Sequence, residues 1–195
     1  MEKQLSTNQV TIIALGVSLN VIGAFIALTL RLPIYLDSIG TILIACILGP
    51  RYAVLTGVLG SLASGVTFDI YSLFFMPVQI STGLISGLMF KKDFLKGEKI
   101  FTGVMAFSVP TSILSAIIAA FVFGGVTSSG SSYIVQMLSV FGINKVVGVF
   151  LTQVLTDYAD KFIAVLIVNY AVSLVPSNII NKLKFKKSYM EIKNG

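Results

Sequence analysis

The stretch GINKVVGVFLTQVLTDYADKFIAVLIVNYAVSLV, residues 142–175, is long and apolar enough for a membrane helix. Yet it contains Asn144, Lys145, Gln153, Asp157, Asp160 and Lys161. Gln153, Asp157 and Lys161 recur every four residues and so share one helix face. Charge inside a bilayer costs on the order of 3 kcal/mol per residue even on lenient scales, so such residues are rare and tend to line ligand or ion paths. This stripe is the first indication of what the protein handles.

The rest of the chain places the stripe in context. Of 195 residues, 55% are hydrophobic and only 11% charged, against about 25% charged in an ordinary soluble domain. Repeated long apolar runs make the chain a single-domain polytopic membrane protein. The runs are apolar on every face, unlike the alternating strands of a membrane β-barrel. No cleavable signal peptide is expected, because the first apolar segment is too long for one and only Lys3 precedes it. The single cysteine, Cys46, and the lack of histidine exclude an intramolecular disulfide, a zinc or copper site and Ser-His-Asp catalysis. A net charge of +6 could suit nucleic acid or anionic lipid. The basic residues sit beside apolar segments, which favours lipid headgroups and argues against nucleic acid.

Six spans are predicted, at 10–30, 34–48, 52–68, 72–90, 101–124 and 142–175. The fold class is therefore an all-α membrane protein of six transmembrane helices. The second and third spans are short, joined by a tight Gly49-Pro50-Arg51 turn, and Pro77 is placed to kink the fourth. Lys3, Arg51, Lys91, Lys92, Lys96, Lys99 and the tail residues Lys182, Lys184, Lys186, Lys187 and Lys193 fall on one side, 11 of the 14 lysines and arginines. The positive-inside rule makes that side cytoplasmic, with both termini inside. The outer connections are then 31–37, 66–71 and 125–141. The last contains Thr127-Ser128-Ser129-Gly130-Ser131-Ser132, a polar tract that reads either as a plain linker or as a lid. In the final span, Asp157, Asp160 and Lys161 fall in the outer third of the membrane.

Small residues recur at helical spacing. The first span carries Gly16, Asn20 and Ala24, with Ala14 and Ser18 beside them; the third carries Gly57, Ser61 and Gly65; the fourth carries Gly83 and Gly87; the fifth carries Ser112, Ala116, Ala120 and Gly124. Such faces pack helices in lipid or dock a partner subunit. The first span holds the longest.

No nucleotide-binding loop is present, so the chain offers no ATP hydrolysis of its own. Asp157 and Asp160 could pair as an aspartyl dyad, but Lys161 beside them favours salt bridging, and no enzymatic activity and no cofactor are expected. The other polar and aromatic residues of the outer half are candidates for a small-molecule pocket with apolar walls and a few polar anchors. The candidate set is Arg31, Tyr35, Asp37, Asp69, Tyr71, Phe75, Tyr133, Gln136, Asn144, Lys145, Gln153, Asp157 and Lys161. Tyr35, Tyr71 and Tyr133 suit an interfacial aromatic belt equally. Arg31 and Lys145 suit snorkelling to headgroups, and Asp157 and Lys161 suit mutual neutralisation.

Several features together resemble the substrate-binding S components of energy-coupling factor (ECF) vitamin transporters. They are six spans in a short chain, Leu36-Asp37-Ser38-Ile39-Gly40-Thr41 followed by Gly49-Pro50, a glycine-rich third span, and Asp160-Lys161 in the last helix. The resemblance implies a multi-pass protein of a bacterial cell membrane that binds a vitamin or related micronutrient from outside. It also implies partners, namely a transmembrane T subunit and two ATP-binding subunits whose hydrolysis drives uptake. Family members dock the T subunit through an Ala-x-x-x-Ala face on the first helix. Here Ala14-Leu15-Gly16-Val17-Ser18 ends in serine, and Gly16/Asn20/Ala24 offers a neighbouring face. Family ligands include riboflavin, thiamine, biotin, folate, pantothenate, cobalamin, pyridoxine and hydroxymethylpyrimidine. Arg31, Lys145 and Lys161 favour a carboxylate, hence pantothenate. The alternative class is an autonomous proton-coupled secondary transporter or a small channel, with Asp157 and Asp160 in the relay.

Overall fold

The computed structural model describes residues 6–176. Lys3 and the tail lysines Lys182, Lys184, Lys186, Lys187 and Lys193 lie outside them. The described chain is all-helical, with no strand. Its α-helices are α1 (Thr7–Thr29), α2 (Ile39–Ile47), α3 (Pro50–Thr67), α4 (Tyr71–Phe74), α5 (Met76–Lys91), α6 (Ile100–Ile117), α7 (Ser131–Val140) and α8 (Lys145–Leu174). A 3-10 turn, Gly97–Lys99, leads into α6, and a wider π turn, Ile118–Val122, ends it. Two helical stretches, Thr7–Thr29 and Gly97–Val122, are long and apolar enough to cross a membrane.

Local chemistry sets several helix ends. Ser6 and Gln9 form a capping box at the start of α1: Gln9 N–H donates to Ser6 Oγ at 3.4 Å, and Ser6 N–H donates to Gln9 Oε1 at 3.1 Å. The tight turn expected at Gly49-Pro50 is present. Gly49 has φ +92°, open to glycine alone without strain, and Pro50 sits in the first turn of α3, where its missing N–H is harmless.

Two expected spans and one connection are corrected. Span 34–48 reduces to the nine-residue α2, preceded by a non-helical strap over 31–38. Arg31 and Leu36 both take left-handed backbone conformations there, and Pro33 withholds an N–H, so helix does not propagate. Span 72–90 splits at Phe75 into α4 and α5, with Pro77 in the first turn of α5 rather than kinking its interior. The connection 125–141 is not a plain linker, because α7 occupies its second half.

The helices alternate in direction. Gly16 on α1 meets Gly40 on α2, and Gly23 meets Leu36, so this pair is antiparallel. A Cβ on Gly40 would land on the Gly16 carbonyl oxygen, which explains why glycine stands on both helices at their closest approach. On α3 and α5, Gly57 faces Gln79 and Gly83 faces Val54, again antiparallel. The connections over 30–38, 68–75 and 123–144 therefore meet at one end. Arg51, Lys91, Lys92, Lys96 and Lys99 lie toward the other.

Burial departs from that of a water-soluble bundle. Among the described residues, buried polar side chains are as numerous as buried apolar ones. Large apolar residues such as Leu15, Phe25, Leu88, Phe101, Met105 and Leu155 are exposed.

Gly16 and Asn20, expected on a docking face, are buried inside the molecule, and Ala24 turns toward the interior cleft described below. Asn20 acts as a cap for α2: its Oδ1 accepts from Gly40 N–H at 2.7 Å and Thr41 N–H at 3.2 Å. Its Nδ2 donates to Thr41 Oγ1 at 2.8 Å. Removing that oxygen leaves two helix-start donors without a partner in a dry interior. Asn20→Ala is expected to lower stability by about 2 kcal/mol, read as a lower melting temperature in detergent. An unchanged melt would show that the cap is not needed. Ala14 and Ser18 stay exposed on the far side of α1.

Candidate functional site

A cleft opens where the three connections meet. Its lining comes from α1 (Ala24, Ala27, Leu28), the strap (Tyr35, Asp37), the α4–α5 region (Asp69, Tyr71, Ser72, Phe75, Gln79), α6 (Ser115), the tract Thr127–Ser129, and α8 (Asp157, Lys161). Seven residues of the predicted site thus converge: Tyr35, Asp37, Asp69, Tyr71, Phe75, Asp157 and Lys161.

The charged stripe of α8 faces inward as its spacing predicts. Gln153, Asp157, Asp160 and Lys161 are all buried, none more than 3% exposed. Lys161 Nζ lies 3.3 Å from Asp160 Oδ2 and 3.9 Å from Asp157 Oδ1. One ammonium is thus shared by two carboxylates. Asp160 does more than neutralise charge: its Oδ1 accepts from Leu36 N–H at 2.7 Å and its Oδ2 from Ser38 Oγ at 3.1 Å. It therefore ties the strap to α8 and satisfies a backbone donor that the missing helix left over. Sequence reasoning placed Asp160 in the stripe but not in the site. Asp160-Lys161 read as an adjacent ion pair, and the strap that Asp160 holds is distant in sequence.

A second chain of hydrogen bonds reaches the cleft from the core. Asn20 donates to Thr41, Thr41 Oγ1 donates to Gln79 Oε1 at 3.1 Å, and Gln79 Nε2 donates to the Asp37 carbonyl at 3.1 Å. Every member has a partner, so the relay rigidifies the floor. Gln79 was missed from sequence because a single amide in an apolar run carries no periodic signal.

The polar tract is ordered. Ser132 Oγ donates to Thr127 C=O at 3.0 Å and accepts from Thr127 N–H at 2.8 Å. Gly130 N–H donates to Leu32 C=O at 3.1 Å, pinning the tract to the strap. Ser128 Oγ donates to Asp69 Oδ2 at 3.0 Å, joining it to the rim of the α4 segment. Ser72 Oγ and Tyr71 N–H also donate to Asp69. Asp69 thus knits two connections together at the mouth.

Aromatic rings form one wall. Tyr71 and Phe75 pack on Phe123, with ring centroids 4.7 and 6.1 Å apart, and Tyr35 lies 6.3 Å from Phe75.

The remaining candidates stand apart from the cleft. Gln153 sits behind Tyr35 and bonds its hydroxyl, with Nε2 to OH at 3.2 Å, so it orients a lining residue rather than lining the cleft. Arg31 donates to the Tyr133 hydroxyl at 2.6 Å. With Gln136 these two line an outer depression that shares Leu28 and Thr127–Ser129 with the cleft. Asn144 is the N-cap of α8, accepting from Val146 N–H at 2.9 Å. Lys145 is exposed in the first turn of α8 beside Gly124 and Gly125. The cationic trio Arg31, Lys145 and Lys161 is therefore not assembled: only Lys161 reaches the cleft, and two carboxylates already hold it.

No family model, curated protein or solved structure matches this chain.

Proposed function

We propose that this protein is a membrane-embedded small-molecule-binding subunit of the S-component type, taking up a vitamin or related micronutrient with the help of separate ATP-binding partners. The observation that carries the reading is the cleft: aromatic on one wall, polar on its floor, and framed by all three connections at one end of a bundle whose outside is apolar. Binding sites for small organic molecules are lined in this way; at about 50 Å³ the cleft has room for water-sized groups only, so the reading requires it to widen when a ligand enters. An apolar exterior around a polar interior suits lipid as the surrounding solvent.

In this reading α1, α3, α5, α6 and α8 cross the bilayer. The nine-residue α2, about 14 Å long at 1.5 Å rise per residue, crosses half of it and the strap completes the passage. The basic end, with Arg51, Lys91, Lys92, Lys96 and Lys99, lies in the cytoplasm and the cleft opens outward. Ala14 and Ser18 remain as the small-residue face for a T subunit. The argument for pantothenate loses its basis, because the three cations that would have held a carboxylate do not meet.

The test is calorimetry on the detergent-purified protein with riboflavin, thiamine, pyridoxamine, biotin, pantothenate and cobalamin, beside mass spectrometry of any copurified small molecule. The expected result is one ligand bound at micromolar affinity or tighter. Absence of any such ligand would remove the binding reading.

One observation favours the second class, a proton-coupled transporter: Asp157 is a buried carboxylate in the cleft wall with one oxygen unpartnered. Uptake into liposomes by this chain alone, following a pH gradient, would select that class over the first.

A further inference from the structure

Carboxyl groups outnumber cations around the cleft. Asp37, Asp69 and Asp157 line it, and Lys161 is the one cation among its described lining residues. Lys161 is also engaged by Asp160. Among the described residues, neither Asp37 nor Asp69 takes part in an ion pair; the hydrogen bonds to the Asp69 carboxylate come from neutral donors, Ser72, Ser128 and Tyr71 N–H. The other two cations of this end do not line the cleft: Arg31 donates to Tyr133, and Lys145 is exposed at the start of α8.

A second observation concerns one of these carboxylates. Asp157 is 1% exposed, yet its Oδ2 has no hydrogen-bond partner. Ser112 on α6 is a neighbour of this carboxylate, but the two make no hydrogen bond of proper geometry, and Ser112 Oγ is itself unpartnered. A buried carboxylate oxygen without a donor is costly, and an N–H⁺ group or a quaternised ring brought against it would offset that cost. No group of three or more His, Cys, Asp or Glu residues able to hold a metal ion exists among the described residues. The aromatic wall of Tyr35, Tyr71 and Phe75 suits a flat organic body carrying positive charge, since ring faces attract cations.

We infer that the cleft takes an organic cation, a protonated amine or a quaternised heteroaromatic ring on a flat apolar body, and discriminates against carboxylates. The inference rests on the binding reading above and narrows its ligand class. A carboxylate ligand would enter a site where acidic side chains outnumber the single shared ammonium, in surroundings that screen charge poorly.

The experiment titrates wild type, Asp157→Asn and Asp37→Asn with thiamine and pyridoxamine as cations, riboflavin as a neutral ring, and biotin and pantothenate as anions. Wild type should hold at least one cation about tenfold or more tighter than either anion, and Asp157→Asn should weaken that cation about tenfold. If Asp157→Asn does not fold, Asp37→Asn carries the same expectation. Riboflavin or a carboxylate vitamin binding tighter than every cation overturns this inference alone. So does an unchanged cation affinity in a folded variant. If none of these probes binds, this inference falls; the binding reading falls too if cobalamin also fails to bind.

Discussion

Replacing Asp160 by alanine is expected to destabilise the protein by about 3–5 kcal/mol, the range for breaking one partner out of a buried ionic cluster. Three donors lose their acceptor at once: Leu36 N–H, Ser38 Oγ and Lys161 Nζ. Neither side-chain donor can turn to water, because Ser38 is fully buried and Lys161 is 2% exposed. The strap over 31–38 would detach from α8, and with it the placement of Tyr35 and Asp37 at the cleft. The measurement is a thermal melt in detergent, paired with proteolysis at the strap. Asp160→Asn should recover part of the loss, since the amide oxygen still accepts from one donor. A wild-type melt for Asp160→Ala would show that the strap is held by other contacts, of which Gly130 N–H to Leu32 C=O is the first to examine.

A loss of similar size is expected for Lys161→Met. Methionine fits the volume and leaves two carboxylates of α8, Asp157 and Asp160, with no cation between them. The expected effect is again about 3–5 kcal/mol, because the unpaired charge rather than the lost contact dominates. The double variant Asp157→Asn/Lys161→Met separates the causes. It removes one charge of each sign and keeps the neutral donors to Asp160, so it should be more stable than Lys161→Met alone. If the double variant is as unstable as the sum of the two singles, Lys161 acts by packing and not by charge.

Which features were legible in the sequence follows from how far each interaction reaches along the chain. The inward stripe Gln153, Asp157 and Lys161 was readable because helical spacing alone puts these residues on one face, and the structure buries all of them. The Gly49-Pro50 turn was readable because its chemistry is local. The strap was not. Residues 34–48 read as one apolar segment, and only Asp160, more than 120 residues away, makes the interruption at Leu36 tolerable by accepting its N–H. The burial of Gly16 and Asn20, two residues of the expected docking face, escaped the sequence for a related reason. Gly16, Asn20 and Ala24 have the spacing of a helix-packing face, but spacing carries no record of whether the partner is another subunit or the chain's own α2. The cationic trio failed because Arg31, Lys145 and Lys161 share an end of the molecule without sharing a cavity.

By itself the sequence determined that this chain is helical, that its long apolar helices carry polar groups on inward faces, and that the last helix holds the charge. These are properties of composition and of a 3.6-residue period, which act within one segment. Only the tertiary structure decided that Asp160 is a strap anchor, that Asn20 caps α2, and that Asp37, Asp69 and Asp157 share a cleft with one cation. Those outcomes depend on which buried donor meets which acceptor across the bundle. In a dry interior that pairing is enforced by the cost of leaving either one alone.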